Sequence, residues 1–262
     1  MAPRSVVVTG ASRGLGAALA GRFAAPGVDL LLIARSAAAL EVVAEACRGQ
    51  GARVATAVID VRDANALAQA VLAFDEMHPV DLAIANAGIS RGRAPDGGWE
   101  DHAATVEQVS VNLIGAMNLA EPLLPSMRAR RAGHLALVGS IAGFRGLPDT
   151  RGYSASKAGL WCYGEALRAA LRGSGVAVTS IAPGIFRSAM EERYLGPKPM
   201  AVSLERAATR IERGLRARAP RVVFPWVLVI ALRILDALPA RLSDAGSRML
   251  RFRVAPDPNA AP

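Results

Sequence analysis

From its fifth residue the chain alternates short apolar runs with longer amphipathic or Ala-rich stretches, and this alternation narrows the folds open to it. Ser5–Thr9, Asp29–Ala34, Arg53–Ile59, Asp81–Ala85, His134–Gly139 and Val176–Ile181 run five to seven residues each. Gly, Pro or charge bounds them and several are β-branched, so they are predicted strands. Leu15–Ala25, Ala38–Arg48, Ala64–Glu76, Trp99–Arg131 (with breaks), Tyr153–Leu171 and Ser203–Arg218 are predicted helices. Strands apolar throughout and alternating with helices indicate a parallel sheet covered on both faces. With 262 residues, 52% of them hydrophobic, and no long linker or repeat, the expectation is one domain over residues 1–254. The Pro- and Ala-rich tail 255–262 is expected to fray.

The last quarter differs. Overall 31 Lys and Arg face 22 Asp and Glu, and the segment Arg206–Arg253 holds eleven Arg against Glu212, Asp236 and Asp244. A basic segment can meet nucleic acid, an anionic membrane surface or another protein. Aromatic residues make up only 5%, and none interleave with the basic ones in a recognition motif, which argues against nucleic acid. Val222–Leu238 is apolar apart from Arg233 and Asp236. It is too short and too charged for a membrane span. It reads as a strand, Arg221–Phe224, and an apolar helix, Trp226–Leu238. That helix is expected in the core, at a subunit interface, or in a membrane surface through residues 221–253. Cys47 and Cys162 cannot form a disulfide framework, and the first residues do not resemble a secretory signal. A cytoplasmic location is therefore expected, with peripheral contact at the inner face of a membrane as the variant.

Three motifs carry chemistry. The first strand runs into Thr9-Gly10-Ala11-Ser12-Arg13-Gly14-Leu15-Gly16 and then into a helix. Glycines there let the backbone approach a pyrophosphate, and the helix N-terminus directs amides at its charge. The second strand ends Ala34-Arg35-Ser36, where an acidic residue would hold the ribose hydroxyls of NAD. Arg35 and Arg13 would instead bracket a 2′-phosphate, so NADP(H) is expected over NAD(H), with no carboxylate to repel it. Ser140, Tyr153 and Lys157 form the third cluster. Tyr153 and Lys157 are one helical turn apart on one face, where the ammonium would lower the phenol below its usual pKa of about 10.

Together these residues resemble the short-chain dehydrogenase/reductase family in its one-domain branch, over roughly Val6–Ser188. The resemblance implies a Rossmann-type doubly wound α/β fold, here with an atypical apolar C-terminal helix. It implies cofactor contacts from Gly10, Ser12, Arg13, Gly14, Leu15 and Gly16, and from Arg35 and Ser36. Asp60 and Val61 would meet adenine, with Asn86, Ala87 and Gly88 beside the cofactor. Pro183, Gly184, Ile185 and Ser188 would lie at the nicotinamide carboxamide. Hydride would pass between nicotinamide and a carbonyl or alcohol carbon while Tyr153 moves the proton. Ser140 would orient the carbonyl, Lys157 hold the ribose, and Asn112 fix a water-mediated proton relay. No metal ligands are assigned. Phe144, Met190 and Tyr194 are candidates to line an apolar substrate pocket, and Arg187–Ser203 is a candidate lid. The family's usual C-terminal tail is replaced by the apolar helix, so a homodimer is as consistent as a homotetramer. The leading expectation is an NADP-dependent reductase of a bulky or apolar ketone. Its alternatives are a lipid-pathway 3-keto reductase for acyl or sphingoid ketones at a membrane, and a non-catalytic NADP-binding sensor or scaffold.

Overall fold

The first strand, β1 (Ser5–Thr9), shows why its residues are apolar on both sides. Val6 and Val8 enter one core with Leu19 and Ile211, while Val7 enters another with Val71 and Leu119. A strand buried on both faces has no solvent side on which to place a charge. A computed structural model describes residues 3–92, 98–187, 192–195, 198, 200–249 and 253–255.

The remaining strands are β2 (Asp29–Ala34), β3 (Arg53–Val58), β4 (Leu82–Ala85), β5 (Gly133–Val138), β6 (Val176–Pro183), β7 (Tyr194–Leu195), β8 (Arg221–Phe224) and β9 (Arg253–Val254). Seven of them form one parallel sheet in the order β3-β2-β1-β4-β5-β6-β8. β7 and β9 pair antiparallel outside it. Helices α1 (Gly14–Phe23), α2 (Ala37–Arg48) and α7 (Leu204–Arg216) cover one face. On the other lie α3 (Ala64–Met77), α5 (Gly115–Ala129) and α6 (Arg151–Ala170), the doubly covered parallel sheet that the alternation predicts and the Rossmann-type architecture that the resemblance implies. The chain grows outward from β1 to β3, then returns to build from β4 on β1's other side. Such a reversal leaves a crevice at the carboxyl ends of the two central strands.

The long predicted helix Trp99–Arg131 is divided. Trp99 lies outside it, and the Asp101 side chain caps α4 (His102–Val109) by accepting from Ala104 N at 2.7 Å. The helix then widens into a π turn over Ser110–Ile114 before continuing as α5. A π turn inserts a residue without breaking the helix and so re-aims a side chain, here that of Asn112. Past β8 the chain forms α8 (Trp226–Ala237) and then α9 (Ala240–Met249), a helix that the sequence pattern does not predict. Among the described residues no helix is long and apolar enough to cross a membrane.

Candidate active site

The crevice is held open by one side-chain network. Thr9, the last residue of β1, donates from Oγ1 to Ile84 O at 3.3 Å and accepts from Asn86 N and Ala87 N at 3.1 and 3.2 Å. The Asn86 carboxamide then donates to Thr9 O at 3.0 Å and Gly10 O at 3.3 Å. The turn after β1 is thereby tied to the turn after β4. Gly10 has φ +65°, a conformation that suits glycine. A Cβ on Gly16 would stand 2.1 Å from Gly10 O and 2.6 Å from Asn86 Nδ2, so only glycine allows the helix to start this close to the loop.

The beginning of α1 contrasts with its neighbours. Ser36 caps α2, Asp63 caps α3, Asp101 caps α4 and Ser203 caps α7, each accepting from a first-turn amide. Arg13 at the start of α1 gives no such bond, and no acidic side chain sits in that first turn. The amides of α1 therefore keep their hydrogen-bonding capacity for an anion from outside the chain. Leu15 is buried, Ser12 half-buried and Arg13 exposed beside them.

At the end of β2, Arg35 is 60% exposed in its side chain, and its Nη1 lies 3.9 Å from Asp60 Oδ2. The expectation that no carboxylate faces the arginines is therefore corrected. Asp60 follows β3, the neighbouring strand, a proximity that linear spacing does not reveal. Arg62 holds it more tightly, from Nη2 at 2.7 Å, and this bond keeps the Asp60 carboxyl below its usual range. Ser36 is occupied as the cap of α2, accepting from Ala39 N at 3.4 Å. Val61 is buried, and its carbonyl accepts from Asn118 at 2.9 Å.

Ser140 leaves β5 and opens a short 3-10 turn, Ile141–Gly143, its Oγ accepting from Ala142 N at 3.1 Å. This turn rests on α6: a Cβ on Gly143 would stand 2.7 Å from the Lys157 carbonyl group. Such an approach brings the Ser140 side chain toward the Tyr153 phenol. Lys157 Nζ donates to Val138 O at 2.9 Å and lies 5.7 Å from the centre of the Tyr153 ring. Tyr153 and Lys157 are both buried. Burial pulls the lysine down to about 8. Burial raises the phenol above its usual value, against a smaller lowering by Ser140. The expected acidification of Tyr153 by Lys157 is thus corrected for the protein alone, because desolvation dominates.

The Asn112 carboxamide is fully engaged. Oδ1 accepts from Ile89 N at 2.7 Å, and Nδ2 donates to Ile89 O and Ser156 Oγ, each at 3.0 Å. Ser156 Oγ in turn donates to Tyr153 O at 2.8 Å. Asn112 therefore braces the turn containing Asn86, Ala87 and Gly88 against the helix that carries Tyr153. Ser156 is a member of this network that sequence reading passed over, although it stands inside Tyr-Ser-Ala-Ser-Lys. Glu100 is another: its buried carboxylate accepts from Gly152 N and Gln108 Nε2, both at 2.7 Å, and steadies the start of α6. Nothing in the linear pattern marks Glu100.

Pro183 ends β6, and Gly184 N donates to Phe224 O at 2.6 Å, fixing the turn before Ile185. Ser188 and Met190 lie outside the described residues. Phe144 is buried, its ring edge-on against Trp161 at 4.6 Å and packed with Leu232 of α8. Tyr194 is half-buried in β7, paired with Val254. Next to it, Arg193 donates to Ser90 O at 2.8 Å and to Arg91 O and Ala255 O at 2.7 Å each, joining three segments beside the crevice.

Known proteins resemble this chain in sequence and fold. The family model for short chain dehydrogenases matches residues 4–196. An uncharacterized oxidoreductase of Myxococcus xanthus is 36% identical over 96% of this chain and 99% of its own. A ketoacyl reductase of Nostoc is 31% identical over 84% of this chain and 78% of its own. Among solved structures, a metagenomic short-chain oxidoreductase in complex with NADP superposes with a TM-score of 0.69 at 27% identity, over 80% of this chain and 89% of that one. A family match across most of the sheet and a relative alike over nearly the whole length agree: the chain belongs to the short chain dehydrogenase family and is an oxidoreductase acting on alcohol and carbonyl groups.

Proposed function

We propose that the protein is an NADPH-dependent carbonyl reductase whose proton donor is Tyr153. One observation carries this reading: a buried phenol, kept protonated by desolvation, stands near the Ser140 side chain and beside the Lys157 ammonium. A phenol that retains its proton at neutral pH is in the state needed to protonate the oxygen of a carbonyl as it is reduced. Ser140 Oγ orients that oxygen by hydrogen bonding. When Tyr153 has given up its proton, the Lys157 ammonium stabilises the phenolate by charge. Asn112 and Ser156 keep α6 and the turn after β4 in register.

The cofactor fits the residues present, because the amides of α1 are uncapped and Gly16 leaves the loop space that a side chain would fill. Gly10 to Gly16 would hold the pyrophosphate, with Asp60 and Val61 at adenine. Asn86 to Gly88 and Gly184 to Ile185 would flank the nicotinamide end. When bound, NADPH supplies the hydride that reduces the carbonyl carbon. Arg35 and Arg13, both exposed, are the groups placed to take a 2′-phosphate, while Asp60 is neutralised by Arg62.

A second reading, reduction of a 3-keto acyl or sphingoid ketone at a membrane, is supported by the likeness to the ketoacyl reductase and by the apolar C-terminal helix. Substrate panels containing soluble ketones and acyl thioesters, followed by NADPH oxidation, separate the two. In the same assay Arg35→Asp is expected to shift preference toward NADH by about tenfold or more. Unchanged selectivity would show that the 2′-phosphate is held elsewhere. Stoichiometric NADPH binding without turnover of any carbonyl would favour the sensor or scaffold.

A further inference from the structure

Helix α8 leaves much of its apolar surface outward. Of its twelve residues only Leu232 is buried, packing with Phe144 and Ala182. Its two charged side chains are exposed but reach partners on the protein. The Arg233 guanidinium lies 4.7 Å from the Phe144 ring centre, and Asp236 pairs with Arg145 at 3.4 Å. The outward residues are Trp226, Val227, Ile230 and Ile234, which are 67%, 46%, 50% and 58% exposed. Spaced about one turn apart, Trp226, Ile230 and Ile234 form a stripe, continued by exposed Leu238 and by Leu242 on α9. A surface helix ordinarily carries its charges outward. Here Leu228, Val229 and Leu235 are half-buried beside Leu232, and the outward stripe is a second apolar face that no described residue covers.

Charge indicates what covers it. Arg210 and Arg221 share with Trp226 and Val227 the walls of a cavity of about 560 Å³ at the β8 edge, whose lining also includes Val222 and Phe224. Arg206, Arg213 and Arg241 are exposed and form no ion pair among the described residues. Two copies joined through this face would bring together segments that each carry an excess of eight positive charges. An anionic surface with an apolar interior satisfies both the arginines and the stripe. At about 18 Å, α8 is far too short to span a bilayer of about 30 Å, but it is long enough to lie in one leaflet's surface.

We infer that the outward face of α8, with the start of α9, docks the protein on an anionic lipid bilayer. The surface is independent of which carbonyl is reduced. The test is sedimentation of the full-length protein with vesicles of phosphatidylcholine and phosphatidylglycerol in equal parts, against phosphatidylcholine alone. Binding is expected only to the anionic vesicles and should weaken with salt. The triple variant Trp226→Glu, Ile230→Glu, Ile234→Glu should bind at least about tenfold more weakly. Its melting temperature and its turnover of a soluble ketone should match the parent. Bromine-labelled lipid should quench the tryptophan emission of the parent more than that of the milder Trp226→Phe variant. The inference is overturned if the parent stays in the supernatant, if the triple variant sediments like the parent, or if quenching ignores position 226. It is likewise overturned if light scattering shows a dimer that the triple variant abolishes without any vesicle binding, since a second copy would then occupy the face. Turnover is read separately, so failure of the reductase reading leaves this result distinct.

Discussion

Helices α1 and α8 make an instructive pair. Leu15, Leu19, Ala20 and Phe23 of α1 are buried against the sheet, while Arg22 points away and pairs with Glu212 at 3.4 Å. α8 has fewer polar residues than most helices in the chain, yet most of it is exposed, Trp226, Ile230 and Ile234 included. Apolar content alone therefore does not tell which helix belongs to the core. How much of its apolar surface the rest of the chain covers does. In α1 the apolar stripe is accounted for by the protein's own stability, whereas in α8 it requires something outside the chain.

The largest effect that sharpens this contrast belongs to the loop before α1. Gly16→Val places a side chain where even a Cβ meets Gly10 O at 2.1 Å. NADPH affinity, measured by fluorescence titration, should fall at least about a hundredfold, or ~3 kcal/mol. An affinity that survives would mean that the loop does not hold the cofactor. Next come paired truncations read by urea unfolding. Leu19→Ala in α1 should cost ~2–5 kcal/mol, because a cavity opens in the core. Ile230→Ala in α8 should change stability by no more than ~0.5 kcal/mol. Equal losses would show that the face of α8 is covered within the monomer.

A third prediction concerns β5, which leads to Ser140 and carries a buried histidine. Thr179 Oγ1 donates its hydrogen to Ala219 O at 2.6 Å, so His134 Nε2 must be the donor in its 2.7 Å contact with Thr179. Burial, helped by the Arg218 charge, lowers His134 from 6.5 to about 4. Between those values the unfolded chain binds the extra proton and the folded one does not. Stability should accordingly decline as pH falls from 6.5 toward 4, by up to ~3 kcal/mol. His134→Gln should flatten that acid limb. An unchanged limb would assign acid sensitivity to other groups.

Much of the sheet was legible because each strand is short, apolar and bounded. β1, β2 and β8 fall on the predicted residues, and β3 stops one residue early at Val58. The cluster of Ser140, Tyr153, Lys157 and Asn112 was legible through residue type and spacing. What escaped depends on distance in space. Glu100 reaches Gly152 across 52 positions, and Arg193 reaches Ser90 across 103. The π turn that aims Asn112 leaves no mark in composition, since its residues would serve equally in an α-helix. The raised pKa of Tyr153 also escaped, because an adjacent lysine suggests the opposite shift until burial is known. For α8 the apolar pattern was plain, but its direction was set by Phe144 and Arg145, far away in sequence.

Replacing Tyr153 by phenylalanine and following NADPH oxidation with a reducible ketone bears most directly on the proposed chemistry. Removal of the one hydroxyl should lower kcat by roughly a thousandfold, with NADPH affinity and melting temperature close to those of the parent. Retention of parental kcat in that variant would contradict Tyr153 as the proton donor.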